Sequence, residues 1–459
     1  MRKKCLLWIS LVWALGVSAQ DAHEELGSIS GTVLDISGNP YPAQVRVFRK
    51  TIREGFASWD SMCGTNTGEQ GGFECPNLAE GKYIVQVLPL RTPKKQIGKT
   101  KEIIAKTTPA SVFYPGVTDL QQAITISLRS KETGWADVRV TDAPAVEVTG
   151  TLFVAARNVY ARLKAEAADG LTLDTGIKPR YDSSTGRVVV PDVPPGHYQL
   201  VVNWLGKGLE RPAASSSESN SALENSSGEQ AASELRNAVF RSATLRFVVD
   251  GSPTNPLLVE AAPLIDISGQ IPDLPDGVTV SGMRLMSTDG VTRDRGAIMK
   301  NGSFIFRSIP EGEYNLSLLP SQSIYVDSVS TGGKSVGNSR FSVAAGQDMV
   351  HLDLDVKGPG VSIQGSVKEW GGQAGSADVV AQFEDTGELY KVKTDKERKF
   401  SFAGLKPGDY RFFAWPGSDT VEYRNPLVLQ KYYNDCTEIS VGQDSIGNAI
   451  ELSPIEKEH

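Results

Sequence analysis

Along most of this chain apolar and polar residues alternate over short runs, the period-two signature of strands with one buried face. Four such runs surround a glycine: Ile29-Ser-Gly31-Thr-Val33, Val148-Thr-Gly150-Thr-Leu152, Ile267-Ser-Gly269-Gln-Ile271 and Ile363-Gln-Gly365-Ser-Val367. Four more end in Gly-x-Tyr: Phe73 to Tyr83, Val188 to Tyr198, Phe304 to Tyr314 and Phe400 to Tyr410. In each of these an apolar residue stands ten before the Tyr and another five before it, as in Phe304 and Ile309. The pattern predicts two strands reversed at Pro and Gly, with the Tyr opening the second.

The Tyr follows its partner glycine by 52, 48, 45 and 45 residues in the four copies. Repeats of about a hundred residues, made of short strands at regular spacing, predict an all-β tandem array of about four β-sandwich modules. Their expected spans are 26–130, 140–265, 266–357 and 360–454. Local composition dissents once, because 153–168 (FVAARNVYARLKAEAA) is rich in helix formers. The other modules place strands at that point, so a strand is expected there too. Residues 211–232 (RPAASSSESNSALENSSGEQAA) have no periodicity and little apolar bulk, and read as a disordered loop inside the second module.

The two recurring elements together resemble the carboxypeptidase regulatory-like family. The fourth module matches most fully, from Thr394-Asp395 through Phe400, Phe402, Leu405, Pro407 and Gly408 to Tyr410. Arg398 stands where that family has a glycine, and Val188 replaces the aromatic in the looser second copy. The resemblance covers most of residues 26–454. It implies prealbumin-like sandwiches of about seven strands, in a fold group classed with carbohydrate-binding-like domains. The motifs are specific for fold and weakly so for function.

The N-terminus changes where this array is expected to work. Arg2, Lys3 and Lys4 precede an apolar stretch from Cys5 to Val17, and Val17-Ser18-Ala19 offers a cleavage site before Gln20. Residues 1–19 therefore read as a secretory signal peptide, too short to be a stable membrane span. Cys5 precedes the apolar core instead of closing it, which argues against lipid attachment there. No later run reaches eighteen apolar residues, so no transmembrane span is expected after signal removal. The expected location is the periplasm, the cell surface or the medium. Removing the three basic residues of the leader takes the formal charge from −7 to −10, which offers no electrostatic route to nucleic acid.

Catalytic chemistry is sparse. A zinc carboxypeptidase needs His-x-x-Glu, but Leu26, Leu200 and Leu354 stand three after His23, His197 and His351, and His459 ends the sequence. His197 reads as a turn residue before its Tyr. The string Gly333-Lys-Ser335-Val-Gly337 has the spacing of a nucleophile elbow, but no helix is evident after it. It also lacks the first glycine of a phosphate loop, since Ser328 occupies that place. Asp353 and Asp355 alternate as half a calcium site would, and read as a solvated strand face. No catalytic residue, cofactor or metal is expected.

Two binding features remain. Among Trp59, Trp135, Trp204, Trp370 and Trp415, the neighbours of Trp59 and Trp370 are polar, making these two the candidates for stacking on sugar rings. Trp415 reads as core. In an exported chain Cys63 and Cys75 are expected to form a disulfide between paired hairpin strands, leaving Cys436 spare; two buried free thiols are the alternative. The expected function is a non-enzymatic binding or spacer scaffold of the cell envelope, a rod of modules presenting loops to a protein or glycan. A carbohydrate-binding protein and an accessory subunit of an exported enzyme are the alternatives.

Overall fold

The computed structural model describes residues 26–90, 107–152, 157–207, 238–252, 265–271, 274, 280, 282–288, 293–298, 302–319, 324–344, 349–371, 375–417, 421–442 and 449–455. The signal peptide and the 211–232 loop lie outside them. The described chain is all-β, a series of sandwiches in which the alternation seen in sequence becomes alternation of burial. Strand Gly27–Leu34, for instance, buries every second side chain.

Each module packs two sheets. In the first, Gly27–Leu34 pairs antiparallel with Gly72–Leu78 and parallel with Thr133–Trp135 and Val138–Arg139. The facing sheet is built on Ala43–Arg53, between Phe56–Asn66 and Gly81–Pro89. The second module repeats the plan with Val146–Thr151 against Arg187–Val193, and with Gly196–Lys207 between Arg157–Glu166 and Ala238–Val249. In the third, Arg293–Ile298 pairs with Gly282–Ser287 and also with Ser303–Ile309, joining its sheets into one nine-stranded path. The fourth sets Val361–Val367, Lys399–Leu405 and Ala449–Leu452 against a sheet centred on Asp378–Phe383 and Gly408–Trp415.

The repeat now has a physical explanation. Gly31, Gly150, Gly269 and Gly365 lie directly opposite Phe73, Val188, Phe304 and Phe400 on neighbouring antiparallel strands. All four ladders carry an irregularity at the same place, between Gly27 and Ile29, Val146 and Val148, Ile265 and Ile267, and Val361 and Ile363. The Gly of Gly-x-Tyr has φ of 152°, 155°, 149° and 145° at Gly81, Gly196, Gly312 and Gly408, a region that side chains resist. The Tyr that follows is buried in every copy. Its hydroxyl donates to the carbonyl four residues earlier: Tyr83 to Ala79, Tyr198 to Pro194 at 2.9 Å, Tyr314 to Pro310 at 2.8 Å and Tyr410 to Lys406 at 2.8 Å. Such a tyrosine corner supplies the partner that a buried hydroxyl requires and pins the turn to the core.

Within 153–168 the described part forms strand Arg157–Glu166. Leu163, Ala165 and Ala167 are buried while Tyr160 and Arg162 are exposed, so pairing and burial override helix propensity.

The modules do not run as a rod. Phe48, Ile84, Phe113 and Leu120 of the first module share one hydrophobic cluster with Leu163, Tyr198 and Trp204 of the second. The first module also reaches the fourth: Arg424 donates through Nε to the Glu54 carbonyl at 2.9 Å, and Lys50 pairs with Glu422 at 2.6 Å. Distant modules meet because charged and aromatic groups on their facing surfaces complement one another, a relationship that periodicity does not encode.

Candidate functional site

Ser335 lies in strand Lys334–Gly337, hairpinned to Tyr325–Thr331, and the next element is strand Arg340–Val343. The strand-to-helix turn of a nucleophile elbow is therefore replaced by a hairpin.

The structure assembles a different serine and histidine. Ser268 and His351 are opposite in a parallel pair, with Ser268 Oγ 3.2 Å from His351 Nδ1. Asp353 Oδ1 stands 3.6 Å from His351 Nε2, beyond hydrogen-bond reach. Acyl transfer would further require a sheltered cleft and two free donors for an oxyanion. Here the strand carrying Ser268 is paired on both sides, and His351 and Asp353 are 58% and 52% exposed. The arrangement is a polar ladder on an open sheet face. Asp355 lies on the same strand, 3.8 Å from Lys357. Among the described residues no group of three or more His, Cys, Asp or Glu could hold a metal ion. His197 lies on the repeat turn, with Nδ1 2.9 Å from Asp119 Oδ2.

The structure joins Cys63 and Cys75, with their Cα atoms 5.9 Å apart. The expected geometry needs correction. Cys63 belongs to Phe56–Asn66, which pairs with Ala43–Arg53, whereas Cys75 belongs to Gly72–Leu78, which pairs with Gly27–Leu34. The chain turns tightly at Gly68–Gly72, but its two arms diverge into opposite sheets, so the bridge staples the sandwich through its core. Cys436 is a free, half-buried thiol whose pKa is raised, chiefly by burial.

Trp59 and Trp370 are both half-buried. Trp59 packs against the cluster shared by the first two modules, and Trp370 against the core of the fourth. Trp204 is buried, and Trp415 stacks on Phe413 at 5.4 Å inside a second apolar layer of the last module. Trp135, which sequence reasoning did not favour, is 68% exposed on the outer face of the first sandwich, opposite Ser30. Tyr160 is also exposed, at 53%, with the Arg162 guanidinium 4.9 Å above its ring. Their i, i+2 spacing on a strand was the available signal, since it places both on one face.

Several titratable groups with shifted ionisation lie where modules meet. Glu388 accepts from Ser339 Oγ at 3.0 Å across the junction of the third and fourth modules, and burial raises its pKa. Beside it the Tyr390 hydroxyl is held far above its usual range by burial and by the Glu388 charge. At the same junction burial pushes Asp327 up, but Lys357 and Lys406 outweigh it and hold the carboxyl below its usual range. Burial lowers the pKa of Arg424, which lies 5.3 Å over Phe56 and donates to Met286 Sδ at 3.6 Å. These perturbations belong to joints, where charges are desolvated by packing against a neighbouring module.

No family model matches the chain, and no curated protein matches it. Solved structures do resemble it loosely. The major pilin subunit BcpA of Bacillus cereus is 10% identical over 72% of this chain and 98% of its own, with a TM-score of 0.16. The full-length major pilin SpaD of Corynebacterium diphtheriae is 10% identical over 94% and 97%, with a TM-score of 0.15. The Bacillus anthracis TIE protein is 14% identical over 72% of this chain, with a TM-score of 0.16, and this chain spans 51% of its length. Superpositions this loose carry no argument about activity.

Proposed function

We propose that this chain is an exported, non-catalytic scaffold of the cell envelope, built from carboxypeptidase regulatory-like modules and holding a binding surface in fixed geometry. The observation that carries the reading is the packing of its joints. Phe48, Ile84, Phe113 and Leu120 continue the apolar cluster of the second module, and Lys50 pairs with both Asp169 and Glu422, on the second and fourth modules. Tight joints suit a protein that presents surfaces, whereas inter-domain motion is the default for weakly packed modules. Export rests on the leader-like residues 1–19. The non-catalytic reading rests on the open setting of Ser268, His351 and Asp353.

Small-angle scattering and envelope fractionation test this together. The mature chain should scatter as one rigid particle, and Arg424→Ala with Lys50→Ala should enlarge its radius of gyration. A reporter carrying residues 1–25 should leave the cytoplasm. A flexible string of modules in the unaltered protein, or ester or peptide hydrolysis abolished by Ser268→Ala, would refute the reading.

Carbohydrate binding is the second reading, favoured by the solvent-facing rings of Trp135 and Tyr160. A glycan array on the mature chain tests it.

A further inference from the structure

Along the junction of the first two modules, three recesses merge into one groove. The first, of about 510 Å³, and the second, of about 650 Å³, share Phe48, Ser61, Arg162 and Asp174. The second and the third, of about 470 Å³, share Gly176, Ile177 and Lys178. Its walls are held in place by the shared hydrophobic cluster, by Gln86 Nε2 donating to the Asp174 carbonyl at 3.1 Å, and by Lys50 with Asp169 at 3.1 Å.

The lining inverts the charge of the protein. Arg46, Arg53, Arg162, Lys164, Lys178 and Arg180 face three carboxylates, Asp60, Asp174 and Asp192, in a chain of formal charge −7. Rings are interleaved with these cations: Trp59, Tyr160 and Tyr181. Arg162 donates through Nε to the Tyr160 hydroxyl at 3.0 Å, which holds the cation over one face of the ring, 4.9 Å from its centre.

We propose that this groove binds an acidic polysaccharide, one whose sugar rings carry carboxylates. The proposal rests on the carbohydrate-binding reading and names its site and ligand class. A pyranose ring offers a flat C–H face to Tyr160 and Tyr181, while its carboxylate reaches an Arg or Lys beside that ring. An acidic peptide matches the charge but offers no flat face to the rings. A single-stranded nucleic acid offers both, with one charge per unit as in a uronate chain, so binding of a hexathymidylate is an outcome of the test. The carboxylated sugar chain is favoured because the carbohydrate reading already rests on Tyr160, one of the groove's rings.

Calorimetric titration of the mature full-length chain decides it. The probes are a hexagalacturonate, cellohexaose, hexaglutamate and a hexathymidylate, each at low and high salt. The hexagalacturonate should bind best and weaken with salt. Tyr160→Ala and Lys178→Ala should each reduce its affinity roughly two- to fivefold, the range of an exposed ring or ionic contact. Both side chains are exposed, so the fold should persist, checked by an unchanged thermal midpoint. Equal or tighter binding of hexaglutamate, hexathymidylate or cellohexaose would overturn the proposal. Galacturonate binding untouched by either substitution would move the site elsewhere and leave the carbohydrate reading standing. Absence of binding to either sugar would remove the proposal, and an array without a bound glycan would remove that reading with it.

Discussion

Gly269 sits directly opposite Phe304, and a Cβ placed on it would fall 2.2 Å from the Phe304 Cζ and 2.3 Å from the Leu352 carbonyl oxygen. The aromatic ring of the repeat therefore lies over the strand glycine, and the two recurring sequence elements are one structural unit. Gly31 with Phe73 and Gly365 with Phe400 repeat it.

Gly269→Ala should consequently destabilise the third module by about 1–3 kcal/mol, the range for overpacking a core. Urea unfolding followed by tryptophan and tyrosine fluorescence measures this. Gly64→Ala is the control: nothing lies within 4 Å of its added Cβ, and a change within about 0.5 kcal/mol is expected.

Tyr314→Phe keeps the ring and removes the hydroxyl that donates to the Pro310 carbonyl. The loss should be about 1–2 kcal/mol, because the hydrogen bond goes and its acceptor loses a partner in a part-buried site. Tyr410→Phe should behave alike in the fourth module. A neutral result in both would mean that water replaces the hydroxyl and that the corner contributes nothing to stability.

Peptide mapping without reductant should find Cys63 and Cys75 in one linked pair and only Cys436 alkylated. Replacing both bridged cysteines by Ala should lower the stability of the first module by roughly 3 kcal/mol, the chain-entropy value for so short a loop. The effect should be confined to the first module, since the bridge closes its two sheets alone.

The third–fourth junction should respond to pH in two separate windows. Burial raises the Glu388 pKa above its ordinary 4.5, so as pH rises past 4.5 the unfolded chain ionises first and stability declines until the folded pKa is passed. The Asp327 pKa is held below its ordinary 3.8, so its contribution is present above 3.8 and is lost as pH falls through the folded value. The thermal midpoint should thus peak between these windows. Glu388→Gln should flatten the high-pH decline while leaving the acid limb in place, which differential scanning calorimetry across pH 2.5–8 would report, on the order of a few degrees.

The sequence by itself determined what is local. The all-β class follows from period-two burial, and the Gly-x-Tyr turn follows from backbone and hydrogen-bond demands that close within five residues, as at Pro310, Gly312 and Tyr314. Four copies of that demand also overruled helix propensity over Arg157–Glu166. Tertiary structure decided every relationship whose partners are set by which faces meet. Cys63 and Cys75 were legible as a pair, yet their strands belong to opposite sheets, because the turn between them does not specify where its arms dock. Ser268 meets His351 across 83 residues, and Arg424 meets Glu54 across 370. Trp59 packs on the cluster shared by the first two modules while also lining their groove, and the exposed ring at Trp135 and the cation-flanked ring at Tyr160 join it as candidates. On a strand the immediate neighbours of a side chain point to the opposite face, so polar residues such as Ser58 and Asp60 do not tell which way Trp59 faces. Whether its face meets solvent or another module depends on packing between distant surfaces.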